Sequence, residues 1–473
     1  MRFLALLPLT ACLLPQVAQT PTEANNKRFV EVSVVVHDHK GQPISDLTKG
    51  DFTLVDRGKP QIISAFRSEL ASRFMAKLTL GPNVYANRLT SRGEIPTAAT
   101  VVLFDGINTR FRDQADAGQR LIAFLQEIEF DDRMAIYVLG REMILLHDFI
   151  GDPNHLLQLL GASRTGATGN SEISRAIAAI TDLADVDRGQ QTLFALETIA
   201  NHLAGVPGRK NLVWVADGFP SDLGLDFTSP DHSQHTAERA LRAITEAAIA
   251  IYPVTKDGSA GTLAENSGGR VFTGIKSAVR AAVEDANSAY LLGFNPSQDD
   301  WDGAYHPLQV KLDQRGFEVR ARKGFLAFKD QLPSPAQVDS VVLDTLAGPL
   351  DATVIPLFVR TGPSDKPDKG SLRLTLQIDP ASITIQSKNG HYVAILEVAM
   401  RQLPSSGSTY VLSTSETYTL TIQPDVYLKI LKESLLLNTY VSPQKGAVQL
   451  RVVVLDRPSG AIGSVHLPIA GGS

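Results

Sequence analysis

The sequence predicts an α/β protein: a doubly wound, Rossmann-like sheet flanked in the chain by β-sandwich segments and followed by a C-terminal β domain. Three observations lead there. Val101, Val102, Leu103 and Phe104 form an unbroken apolar run, as do Leu212, Val213, Trp214 and Val215. Strands that read this way are buried on both faces, the situation of a central strand in a parallel sheet. Between residues 98 and 288 such strands alternate with stretches of helical periodicity, the pattern of strand, crossover helix and parallel strand. From Val354 onward the pattern changes to strand after strand, broken by turn residues.

Taken in order, the chain opens with a targeting segment. Arg2 gives a positive start, Phe3 to Leu14 an apolar core, and Gln16 onward is polar; the run is too short to span a membrane and reads as a secretory leader over residues 1–19. Export follows, to a periplasm, an outer envelope or the medium. Leu9-Thr10-Ala11-Cys12 also matches a lipobox, which would place a lipid anchor on Cys12. Apolar residues continue past Cys12, so ordinary cleavage near Ala18 or Gln19 stands beside lipidation. Cys12 is the only cysteine, and the mature chain therefore forms no disulfide.

Residues 27–70 read as a small β module, with a strand from Phe29 to Val36, a turn at His37 to Pro43, and a second strand from Phe52 that turns at Arg57-Gly58-Lys59-Pro60. A piece of so few strands is marginal alone. It is expected to pack with the strands of residues 289–328, which carry Leu291, Leu292, Phe294, Leu308, Val310, Val319 and Ala321, as one sandwich with the α/β domain inserted between its halves. Residues 71–97, with Gly81-Pro82, Gly93 and Pro96, read as an irregular connector.

The α/β domain covers 98–288. Ala115 to Ile128 is amphipathic, with Leu121, Phe124, Leu125 and Ile128 on one face. Arg133 to Leu139 and Met143 to His147 read as a strand and its hairpin partner. Asn154 to Leu160 begins a helix, and Arg164 to Ser171 is a polar loop. The stretch TLFALETIANHLAGV, opened by Thr192, repeats Leu193, Leu196, Ile199, Ala200 and Leu203 at helical spacing. Thr236 to Ala250 is a further helix, feeding the strand Ile251 to Val254, and Val271-Phe272 is the last strand. The linker KDQLPSPAQ then marks a boundary near residues 330–337. Beyond it, 338–473 reads as a short helix, Asp339 to Leu346, and an antiparallel, immunoglobulin-like sandwich, a kind of module that binds or spaces.

Asp105 ends the first apolar run abruptly. A carboxylate at the C-terminal end of a central parallel strand lies where open α/β sheets hold their ligands. Asn108 and Thr109 follow within one turn and add neutral oxygens suited to a hard cation. The plainer alternative is an Asp that accepts backbone N–H groups from the turn at 106–109. Asp217-Gly218 closes the second strand and equally reads as a plain turn, while Thr192 would cap a helix with or without a metal.

The order strand-Asp-x-x-Asn-Thr, helix-Thr, strand-Asp-Gly resembles von Willebrand factor A domains, and more closely the VWFA-related group of exported bacterial proteins, whose first loop reads Asp-x-x-Asn-Thr. GRKNLVWVADGFP at 208–220, AYLLGFNP at 289–296 and the early run VVVHDHKGQPISDLTKGDFTLVDRGKPQ carry the same resemblance, which covers nearly all of the chain after the leader. The resemblance implies a metal-ion-dependent adhesion site. Asp105 matches the first Asp of its Asp-x-Ser-x-Ser pattern, Thr109 the second Ser, Thr192 the Thr and Asp217 the last Asp. Ile107 stands at the first Ser and cannot ligate, so one oxygen is lost there unless Asn108 replaces it. The implied cofactor is Mg2+, or Mn2+ or Ca2+, held by Asp105, Asn108, Thr109, Thr192 and Asp217. The implied partner is a protein that offers a carboxylate to the open position on the ion.

A formal charge of −5 argues against a nucleic-acid partner, which calls for a basic face, and no later apolar run approaches membrane-spanning length. The chain has no G-x-S-x-G elbow, no H-E-x-x-H and no cysteine nucleophile after the leader. His232 and His235 have the spacing of a metal pair but lack a third ligand. Asp299, Asp300 and Asp302 around Trp301 read as a solvated hairpin. The expectation is an exported, non-enzymatic protein-binding or adhesion protein. Its alternatives are a structural spacer of the cell envelope without bound metal, and a hydrolase with Asp105 or Asp217 as the working acid.

Overall fold

A computed structural model of the chain describes residues 29–469 except 69–73, 76, 92–94, 113, 129–133, 150–160, 162–170, 220–234, 256–259, 330–332, 366–369 and 405–412. The expected leader with Cys12, the helix at Asn154 to Leu160, most of the loop at Arg164 to Ser171, and His232 lie outside the described residues.

The central unit begins with β1 (Ala99–Asp105), α1 (Gln114–Glu127), β2 (Met134–Leu139) and β3 (Met143–His147). It continues with α2 (Ser171–Thr181), α3 (Arg188–Leu203), β4 (Lys210–Val215), α4 (His235–Glu246), β5 (Ile249–Val254), α5 (Gly261–Ser267) and α6 (Ile275–Ser288). The strands line up as β3-β2-β1-β4-β5. Only β3 runs antiparallel to its neighbour, β2. The chain leaves β1 toward β2 and later returns to the other side of β1 as β4. The strand order therefore reverses between β1 and β4, and open α/β sheets bind their ligands outside the carboxyl ends at such a point.

Side chains alternate across a strand, and here the alternation divides the core in two. Val101 and Leu103 of β1 join Leu212 and Trp214 of β4 under α3 and α4. Val102 and Phe104 join Val213 under α1, α2 and α6. The parallel register sets Leu103 beside Trp214 and Phe104 beside Val215. All these side chains except Val215 are buried, and each large one contributes roughly 1.5–3 kcal/mol against exposure.

Two four-stranded sheets built from both flanks of the α/β unit form a sandwich. One has the order Glu318–Ala321, Val30–His37, Tyr290–Phe294, Ala65–Ser68; the other has the order Gly324–Leu326, Tyr305–Leu312, Phe52–Asp56, Lys59–Gln61. Their shared core holds Val32, Val34, Leu54, Tyr290, Leu292, Phe294 and Phe325. A buried polar clamp fixes the sandwich to the α/β unit. Arg209 donates to Ser33 Oγ, Tyr252 Oη and the Gly268 carbonyl, while Asp285 of α6 accepts from Tyr252 and Arg320.

The helix after the linker, α7 (Pro335–Ala347), is longer at both ends than the predicted Asp339 to Leu346, because Ser334 and Gln337 form a capping box and Pro335 takes the first turn. A second β unit follows. One sheet has the order Leu435–Val441, Leu372–Ile378, Leu357–Pro363, Val84–Ala86. The other is organised on the long strand His391–Pro404, with Ser413–Ile422 on one side and Ala447–Asp456, then Ile462–Pro468, on the other. Two features depart from the sequence reading. The stretch read as an irregular connector supplies the strand Val84–Ala86, pinned by Asn87, whose amide donates to the Ala352 and Ile355 carbonyls and accepts from the Leu357 N–H. A helix, α8 (Pro424–Glu433), also interrupts the strands. Among the described residues no helix is long and apolar enough to cross a membrane.

Candidate functional site at the carboxyl edge of the sheet

Asp105 is the last residue of β1 and is fully buried. Its Oδ1 accepts the backbone N–H groups of Ile107 and Asn108 at 3.1 and 3.0 Å. Its Oδ2 accepts Asn108 Nδ2 at 2.7 Å and the indole Nε1 of Trp214 at 2.8 Å. Burial pushes the carboxyl above its ordinary range, against the pull of these N–H donors. The turn is closed further by Thr109, whose hydroxyl donates to the Asp105 carbonyl at 2.6 Å. Next to it, Gly106 has no room for a side chain, because a Cβ there would overlap Ile180 of α2.

Thr192 belongs to the same network but not as a helix cap. α3 starts earlier, at Arg188, with Asp187 as its N-cap accepting the Gln190 N–H. Thr192 therefore lies in the second turn, fully buried, donating to the Arg188 carbonyl at 2.8 Å and accepting Asn108 Nδ2 at 3.0 Å. The polar run Asp187-Arg188-Gly189-Gln190-Gln191 masked this start, since the apolar periodicity begins only at Leu193.

Asp217 is elsewhere. Asp105 bonds Trp214 on the side of the sheet that holds Leu103. Asp217, two residues past the end of β4, turns toward α1. There its Oδ2 accepts from Arg120 of α1 at 2.9 Å, and Arg120 Nε donates to Asp116 at 3.2 Å. The guanidinium also lies 5.6 Å from the centre of the Phe111 ring. Arg120, Asp217 and Thr109 line a cleft of about 350 Å³ whose walls include Phe104, Phe124, Val215, Val254 and Ile275; Asp105 is not among its lining residues.

The five residues of the predicted metal set are thus divided. Asp105, Asn108, Thr109 and Thr192 form one internally bonded group; Asp217 lies outside that group, paired with Arg120, in a cleft that Thr109 also lines. This arrangement does not fit a shared divalent ion. An ion at the free side of Asp105 would need Oδ2, which already takes two N–H donors, and one of these, the Trp214 indole, can only donate and is locked in the core. Ile107, at the position where the pattern has a hydroxyl, is fully buried in the same apolar cluster as Trp214.

Three residues of this edge escaped the sequence reading: Trp214, Arg120 and Asp116. Each carried a signal. A tryptophan inside a fully apolar strand must find an acceptor for its N–H, and the nearest strand ended in an acid. Asp116 and Arg120 are four apart on a predicted helix, the spacing of a facing ion pair.

The strand order, with an antiparallel edge strand on a parallel sheet, is that of an open, doubly wound α/β sheet. Among solved structures the chain is similar to a von Willebrand factor type A protein from Catenulispora acidiphila, with 9% identity over 89% of this chain and 72% of that one, and a TM-score of 0.24. No family model and no curated protein matches the chain.

Proposed function

We propose that the chain is an exported, non-enzymatic protein-binding protein whose von Willebrand factor A-like domain presents the carboxyl edge of its sheet to a protein partner. The observation that carries this reading is the cleft at the switch point between β1 and β4, with the Arg120 and Asp217 pair at its rim. Apolar walls with a few polar groups at the rim are the general features of a binding site. The sandwich and the C-terminal β unit, which we read as immunoglobulin-like, serve to hold and space this edge. The reading needs no bridging cation.

A second reading, a structural spacer of the envelope, draws support from the buried clamp of Arg209 and Asp285, which ties the α/β unit to the sandwich. Pull-downs from envelope extracts separate the two. The binding reading expects the intact chain to capture the same partner with or without chelator, and an Arg120→Glu variant to lose it. Capture of no partner by either chain favours the spacer, equal capture by both moves the binding surface away from the cleft, and hydrolytic activity lost in Asp217→Ala would favour an enzyme.

A further inference from the structure

The positive charge that the family resemblance assigns to a cation is present at this edge in another form. We infer that Arg120 is itself the recognition cation: a carboxylate side chain of a protein partner enters the 350 Å³ cleft and pairs with the Arg120 guanidinium, displacing Asp217 from it. This rests on the partner-binding reading and names the chemistry of the contact.

Four observations place the charge there. Arg120 is held at one end by Asp116, itself nearly buried, and braced against the Phe111 ring, so the guanidinium is pre-positioned before any partner arrives. Its Nε and Nη1 bond Asp116 and Asp217, and a guanidinium has five N–H donors in a planar fork, which leaves donors for a second carboxylate. Asp217 is a third exposed, so its bond to Arg120 is the exchangeable one, while Asp116 is only 9% exposed. The cleft floor of Phe104, Phe124, Val215, Val254 and Ile275 suits the methylene stem of an acidic side chain.

Competing charges are close. Glu127 and Asp217 both line the cleft. A free carboxylate is therefore a weak ligand, and affinity for a whole partner depends on the surrounding surface.

The test uses the intact chain and two small probes, N-acetyl-glutamate amide and its neutral match N-acetyl-glutamine amide, observed by saturation-transfer NMR at millimolar concentration. The charged probe should receive saturation and the neutral one should not. Arg120→Gln should abolish the signal and Arg120→Lys retain part of it. Asp217→Asn, which removes the internal competitor, should tighten binding about threefold, the size expected for losing an exposed ion pair. EDTA or Mg2+ should change nothing. Arg120 and Asp217 are partly exposed, and thermal melts of the variants confirm that each remains folded. Equal signals from the two probes, no signal from either, persistence in Arg120→Gln, or dependence on Mg2+ would overturn the proposal. These outcomes are independent of the pull-down, which can fail for want of a partner while the cleft still takes the probe.

Discussion

The indole N–H of Trp214 donates to Oδ2 of Asp105 across two neighbouring parallel strands, at 2.8 Å and wholly out of water. The bond turns a strand-end acid into part of the core. It ties the carboxyl ends of β1 and β4 together at the point where an open α/β sheet would otherwise expose its ligand crevice.

Trp214→Phe keeps most of the ring volume and removes the N–H, leaving a buried carboxylate with one donor fewer. The expected loss is about 1–3 kcal/mol of stability, the range for an unsatisfied buried polar group. Chemical denaturation should show a lower midpoint with an unchanged slope. An unchanged midpoint would mean that Asn108 and the backbone N–H groups suffice for Asp105.

At the clamp between the α/β unit and the sandwich, Asp285→Asn leaves Arg209 and Arg320 facing a neutral group in a buried setting. Breaking a buried ionic network from one side costs about 3–5 kcal/mol. Hydrogen exchange should report the loss in α6 and in the strands Val30–His37 and Glu318–Ala321, which the network joins. Loss confined to α6 would mean that the sandwich is held by its apolar contacts alone.

Acid should loosen the same region. Burial would raise the Asp285 carboxyl, but the Arg209 and Arg320 charges and the hydrogen bonds from Tyr252 and Arg320 outweigh it and hold it below its ordinary value. Asp302 is likewise drawn down to about 2: desolvation is outweighed by the Ala304 N–H and the Arg57 guanidinium. A depressed carboxyl contributes stability above its unfolded value of about 3.9 and loses it as pH falls through the folded one. Asp105 has the opposite sign, favouring the fold below its unfolded value and losing that contribution as pH rises. A net fall in stability between about pH 4 and pH 2 is therefore expected. Arg57→Ala should move the Asp302 titration, followed by carboxyl NMR, toward the ordinary range.

Asn87 gives a test of the connector. Asn87→Ala removes three hydrogen bonds that seat Val84–Ala86 on the C-terminal unit. A loss of about 1–3 kcal/mol is expected. Exchange should rise at residues 84–87 and along Leu357–Pro363, the neighbouring strand, while β1 to β5 stay protected.

Local pattern showed the central sheet clearly, because apolar runs such as Val101 to Phe104 and Leu212 to Val215 have a single physical use. The same pattern hid elements whose identity depends on distant partners. Val84–Ala86 is too short to signal itself, and its mate begins at Leu357. The first turn of α3 carries only polar residues, so Thr192 read as a cap when it is interior. At the site, residue types were legible and faces were not. Asp105 and Asp217 both follow apolar strands, yet Asp105 is still the last residue of its strand and bonds Trp214, while Asp217 lies two residues past the end of its strand and bonds Arg120; a motif written as a list of types does not carry that difference.

The direct test of the closed, cation-independent edge is a titration of the intact chain with Mg2+ and Mn2+, followed by thermal melting. A ligand that binds only the folded state raises the melting temperature by an amount that grows with RT ln(1 + [L]/Kd). The geometry of Asp105, Asn108 and Trp214 predicts no saturable shift up to millimolar metal, in the wild type and in Asp105→Asn alike. A saturable rise in the wild type that Asp105→Asn abolishes would contradict it.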